Sequence, residues 1–210
     1  MKPPVVICAA LCIVVVCCSR PAPVETEIAA DVTAWHRVDP LDMTDTQKAQ
    51  QELVLSATNA LAAEMMGELT AALDSGGPDA AIAVCRTTAP TVAAHVSEQY
   101  GLRIGRTSQK LRNPANTAPD WATPYIAELA QEPTFLAGPD GELGALLPIR
   151  LKSECQMCHG PVEGIDEGVM AAISEVYPDD QALGFVEGDL RGWFWVEAPP
   201  GEPDTSTTEM

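Results

Sequence analysis

The sequence predicts an α+β domain that opens on a long helix. Three observations carry this. Residues 45–73 are rich in Ala, Leu, Met, Gln and Glu and lack proline, and Leu61, Met65, Leu69 and Leu73 recur every fourth residue, the apolar stripe of a helix. Strand-like segments come only after residue 100, at 101–108, 134–136, 144–151 and 190–197. No internal repeat divides the chain, and the remaining length of about 190 residues suits one domain with a sizeable core.

Taken in order, Met1-Lys2 supplies one positive charge, and an uncharged apolar run follows from Val5 to Cys18. A bilayer span needs about 20 residues, so this run is too short to cross comfortably and suits a signal-peptide core. It ends Val15-Val16-Cys17-Cys18-Ser19. A cysteine closing such a segment predicts a lipoprotein signal, with the new amino-terminal cysteine acylated after cleavage. Cys18 suits that role slightly better than Cys17, because Val16 is larger than the small residue the cut site prefers. An ordinary cleaved signal and a short uncleaved anchor are the alternatives. All of them export the domain, and the lipoprotein reading places it in the periplasm on a membrane. Residues 1–17 are therefore expected to be signal peptide. Residues 18–45, proline-bearing and without apolar periodicity, are expected to be a linker. His36 lies in it and reads as a surface residue unless the segment folds back.

The long helix stops at Gly76-Gly77, and Pro78-Asp79 restarts one, with proline early and an acid in the first turn. In this second segment, 79–99, Ile82, Cys85, Ala89, Val92 and Val96 alternate spacings of three and four. Cys85 and Val96 point within about 20° of each other on an ideal helix, so Cys85 faces inward, whereas His95 lies about 80° away. Pro90 removes one helical hydrogen bond and is expected to kink the helix beyond Cys85. A helical methionine stripe is more often core than ligand, which sets the reading of Met65 and Met66. Residues 101–108 alternate as a strand, and 111–120 are turn-forming throughout. Residues 121–131 read as a short helix interrupted near Pro124. Two strands flank the turn at Gly138-Pro139-Asp140-Gly141, and Pro148 in the second predicts an edge or a bulge. A helix follows at 165–176 and a closing strand at 190–197 carries two tryptophans on one face. Residues 199–210 read as a disordered acidic tail.

Between the second hairpin strand and the last helix stands Ser153-Glu154-Cys155-Gln156-Met157-Cys158-His159-Gly160. Cys155, Cys158 and His159 spell C-x-x-C-H, the attachment pattern of covalent c-type haem. Each thiol can form a thioether to a haem vinyl group, and the histidine is then held against the iron. Half a zinc site or a redox C-x-x-C pair are the rival readings. Zinc needs two further ligands at local spacing, and redox pairs accompany a βαβ pattern; neither is evident. The cysteine count adds a second clue. Of seven cysteines, Cys8, Cys12, Cys17 and Cys18 lie in the signal region and two in the motif, which leaves Cys85. From the residues alone, Cys85 is equally an iron ligand or an inert buried thiol. The net charge of −18 argues against nucleic acid and anionic lipid; it fits a solvated acidic surface or a cationic partner.

Taken together, these motifs resemble a known family. The matching pieces are Ala81-Ile82-Ala83-Val84-Cys85 with Ala89-Pro90, Gly105-Arg106-Thr107-Ser108, and Arg112-Asn113-Pro114-Ala115-Asn116 with Pro119-Asp120. They continue with Pro148-Ile149, Cys155 to Gly160, Tyr177-Pro178-Asp179-Asp180-Gln181-Ala182 and Gly188-Asp189-Leu190-Arg191-Gly192. The chain is similar over residues 47–197 to the single-haem c-type domain found alone in cyanobacteria and as the extracytoplasmic sensor module of bacterial histidine kinases and chemoreceptors. It departs at Trp121, which directly follows Asp120 and lacks the usual acidic residue after it. The resemblance implies a PAS-like antiparallel sheet flanked by helices, filling a haem domain at 46–198. It also implies one covalent haem whose iron lies between His159 and the thiolate of Cys85. Arg106 and Arg112 would pair with the haem propionates, or else be surface or structural arginines. Electron transfer with an unidentified redox partner is the expected role. Redox or diatomic-gas sensing through a separate membrane partner is the alternative. No distal acid or histidine is placed for catalysis, so no enzyme is expected.

Overall fold

The structure, a computed structural model, describes residues 35–201. The expected signal peptide, residues 18–34 of the linker and residues 202–210 of the tail lie outside the described residues. The first helix, α1 (Asp45–Tyr100), begins at a reciprocal cap. Gln47 N–H donates to Thr44 Oγ1 at 3.2 Å, and Thr44 N–H donates to Gln47 Oε1 at 2.9 Å. Its 56 residues are two helices in line, because Gly77 leaves the helical region at φ 68°, ψ −160°. The break falls where the glycine pair predicted it. Gly101, at φ 64°, closes the second half with its N–H on the carbonyl oxygens of Ser97 and Glu98.

Among the described residues five strands form one antiparallel sheet: β1 (His36–Val38), β2 (Arg103–Thr107), β3 (Thr134–Ala137), β4 (Leu143–Arg150) and β5 (Leu190–Ala198). Their order across the sheet is β1-β3-β4-β5-β2. With α2 (Thr123–Ala127), α3 (Gln156–His159) and α4 (Glu167–Val176), this is the α+β arrangement of a helix-flanked antiparallel sheet that the sequence led us to expect. Alternation along the strands separates two cores. Phe135, Leu143, Ala145, Leu147 and Val196 meet Val54, Ala57, Leu61, Val92 and Val96 of α1. On the opposite face Leu136, Leu146 and Trp193 pack with Trp121, which stacks on Trp35 at 5.3 Å between ring centroids. A third cluster, Ile82, Ile165, Val169, Ile173 and Tyr177, joins α1 to α4.

Several expectations are corrected. The linker ends sooner than residue 45: β1 pairs with β3, and Met43 is buried. That strand is three residues long with two exposed side chains, so only its pairing with β3 defines it. Of the α1 stripe, Leu61 is fully buried and Met65 packs against the main core, but Leu69 and Leu73 stay half-exposed. Pro90 lies inside α1 with helical dihedrals, so it removes a hydrogen bond without breaking the helix. The short helix is limited to Thr123–Ala127 and follows a 3₁₀ turn at Asp120–Ala122; Pro124 sits in its first turn and does not interrupt it. Pro148 stands in an interior strand, but β3 pairs β4 only as far as Leu146, so the missing N–H falls beyond the neighbour's end. The expected bulge follows at Ile149/Arg150. The tail is pinned at its start, where Gln50 Nε2 donates to Pro199 O at 2.7 Å.

Candidate functional site

Strand β4 hands the chain through one 3₁₀ turn, Ser153–Cys155, directly to α3. Cys155, Cys158 and His159 therefore share one tight helical step at the end of a rigid strand. The segment after α4 holds this step from the other side. Phe185 N–H donates to His159 O at 3.0 Å and Gly184 N–H to Gly160 O at 2.8 Å. The imidazole Nδ1 lies 2.8 Å from Ala182 O. A carbonyl only accepts, so Nδ1 carries the proton and Nε2 keeps its lone pair. Burial, with Arg112 and Arg191 adding to it, lowers the His159 pKa to about 3, so the ring is neutral at any ordinary pH.

Below this turn lies a buried ion pair. Arg112 Nη2 donates to Asp180 Oδ2 at 3.0 Å and also to the carbonyl oxygen of Cys158. Asp180 Oδ1 in turn accepts from Ala182 N–H at 2.8 Å. One carboxylate thus connects the arginine under the Cys158 carbonyl to the residue whose carbonyl orients His159.

Cys85 arrives from α1. Ile82, one turn before it, packs in the cluster that Cys158 borders, which brings the helix against the motif. Burial pushes the Cys85 thiol up from its ordinary pKa, and the nearby guanidiniums of Arg106, Arg112 and Arg191 pull it back down. Burial likewise raises Cys158, Arg112 opposes this, and Cys85 is among the charges that act on it. All three thiols are free. Arg106 projects from β2 opposite Phe194, its pKa lowered by burial and raised again by Cys85. Tyr177 is buried at the end of α4, raised first by burial and then by Cys85.

The expected residues Cys85, Cys155, Cys158, His159, Arg106 and Arg112 therefore fall in one electrostatic neighbourhood. His36 and His95 do not; both are exposed, His36 on the edge strand and His95 on the outer side of α1. Two surface clefts, one beside Arg103 and Glu142 and one beside Arg37 and Pro133, contain none of the cluster. The donor set, not cleft size, marks the site. Among the described residues no three His, Cys, Asp or Glu side chains converge on a point that would hold a bare metal ion. The donor chemistry suits a group that brings its own ring ligands: two free thiols three residues apart, an imidazole with a bare nitrogen, and a third thiol. Unpartnered buried Nε atoms on Arg112 and Arg191 add anion-binding capacity.

A profile of the Tll0287-like family matches residues 40–199. The chain belongs to the Tll0287-like family. Among solved structures, the "cyanobacterial heme-protein Tll0287" is similar in fold, with TM-score 0.55 and 20% identity over 75% of this chain and 97% of that one. No functionally curated protein matches the chain. Membership of the Tll0287-like family bears out the resemblance drawn from the motifs. Within this family member, the sequence reading missed the roles of Asp180, Ala182 and Arg191. All three stood in matching motifs, but a motif does not say what a residue touches.

Proposed function

We propose that this chain is an exported electron-transfer protein that carries one haem. Cys155 and Cys158 would hold it through thioethers, and His159 and Cys85 would supply the ligands to its iron. The observation that supports this best is a third free thiol, Cys85, near enough to act on Cys158, next to an imidazole whose Nε2 is bare. When bound, haem supplies a one-electron iron couple. The chain does the rest. The bond from Nδ1 to Ala182 O holds the His159 ring in one tautomer and one orientation, and raises its basicity as a ligand. Cys85 sits on a helix between the buried residues Ile82 and Ala89, so packing sets where its sulfur points. A thiolate is anionic and strongly donating, so Cys85 favours ferric iron and a low reduction potential. With both of these residues on the iron no position would be left for a substrate, and no catalytic residue is assigned. Haem c is attached outside the cytoplasm in bacteria, in keeping with the export signal read at the amino terminus. An acyl group on Cys18 or Cys17 would tether the protein to a membrane beside its redox partner.

Produced with a c-type maturation system, the wild type should retain haem on a denaturing gel, and Cys155→Ala with Cys158→Ala should abolish that retention. Haem released from the wild type by denaturation contradicts covalent attachment. Fast, reversible reduction with unchanged ligation supports electron transfer. Release of Cys85 on reduction, with immediate carbon monoxide binding, makes the protein a gas or redox sensor instead.

A further inference from the structure

The cluster holds more positive charge than the protein neutralises. Arg112 has a carboxylate partner, Asp180, and the two side chains are 9% and 6% exposed. Among the described residues, neither Arg106 nor Arg191 has a carboxylate within ion-pair distance. The two nevertheless stand at one end of the β2–β5 ladder. Thr107, next to Arg106, pairs with Trp193, and Ser108 Oγ donates to Arg191 O at 2.7 Å. The Arg191 guanidinium lies 5.3 Å over the Phe185 ring, whose own N–H is bonded to His159 O. Its Nη1 reaches only the Lys110 carbonyl, at 3.2 Å, and its Nε is buried without a partner. Two guanidiniums are thus drawn out of bulk water beside the motif with no carboxylate in direct contact. Such an arrangement is unfavourable until an anion completes it.

We infer that Arg106 and Arg191 are the anion-binding end of the site and receive the two propionate carboxylates, whereas Arg112 is a positioning residue for the haem-binding turn. This rests on the haem reading above and changes the roles within it. Each free guanidinium offers paired N–H donors that match a carboxylate. Two carboxylates balance the two unmatched arginines. The Cys85 thiolate balances the single net charge of a ferric porphyrin centre, which leaves the filled site neutral. Arg112 also has an unpartnered buried Nε, but its Nη2 is committed to Asp180 and to the Cys158 carbonyl, so its charge, unlike that of Arg191, is already matched.

The test uses the haem-loaded protein with Arg106→Gln, Arg191→Gln and Arg112→Gln, and Arg106→Lys and Arg191→Lys beside them. Resonance Raman reads the propionate bending bands, and a redox titration reads the midpoint potential. Arg106→Gln and Arg191→Gln should each shift a propionate band and lower the midpoint, because a carboxylate stripped of its cation stabilises ferric iron. The lysine variants should hold the midpoint near wild type and still shift the band, since they keep the charge and lose the fork. They also decide the matter should a glutamine variant fail to fold. Arg112→Gln should leave the propionate bands in place and shift the paramagnetic-resonance g values of the ferric iron, which report the field of its ligands. Propionate bands unmoved in every Arg106 and Arg191 variant, or moved as much by Arg112→Gln, overturn the inference. A wild type that takes up no haem overturns the haem reading itself.

Discussion

Asp180 does two things with one carboxylate. One oxygen takes the Arg112 guanidinium and the other takes Ala182 N–H, so the loop that orients His159 is tied to the arginine that supports Cys158. Removing one partner of a buried pair leaves the other charge uncompensated. We expect Asp180→Ala to cost about 3–5 kcal/mol of stability, read as a fall in the denaturant midpoint of the haem-loaded protein. Asp180→Asn keeps an oxygen for Ala182 N–H and should fall between the two. A midpoint unchanged in Asp180→Ala would show that the pair carries no weight. This scale also shows why part of the site was legible and part was not. Cys155, Cys158 and His159 act through a spacing of three and one, which any reader of the chain can see. The partners of Arg112 and His159 are 68 and 23 residues away, and only the pairing of β5 with both β2 and β4 decides who meets whom.

Helix α1 shows the same division among elements. The Gly-Gly-Pro sequence announces its break, and the structure puts the break at Gly77 with a backbone conformation that belongs almost solely to glycine. An added Cβ there meets nothing within 4 Å, so Gly77→Ala would cost only backbone strain, about 1–3 kcal/mol, read by thermal unfolding. The helix supplies both the main core and Cys85, so the same variant should also disturb the haem spectrum. Retention of wild-type stability would mean that the two halves are free to rejoin as one straight helix. Gly105 presents the other kind of glycine requirement. A Cβ on it would lie 2.4 Å from Trp195 Cζ2, and the ring must move. Gly105→Ala should cost about 1–3 kcal/mol and shift tryptophan fluorescence; an unshifted spectrum contradicts this. Both glycines were visible in the sequence, one as a helix stop and one in a family motif. Strand β1 was not visible, because three residues, two of them exposed, carry no periodicity.

At the scale of the molecule, the acidic balance and the haem-site charges act separately. The net charge of −18 is spread over the whole chain, whereas the candidate site collects Arg106, Arg112 and Arg191. Electron exchange with a small cationic metal complex should therefore slow as salt rises from low to physiological strength, and exchange with an anionic complex should quicken. Equal salt dependence for both would show that the surface field has no part in encounter. The central claim concerns what lies on the two sides of the iron, and one comparison addresses it directly: the ferric absorption and paramagnetic-resonance spectra of the wild type against Cys85→Ala. The account predicts a six-coordinate low-spin thiolate signature in the wild type that disappears in the variant. Identical spectra from the two proteins would contradict it.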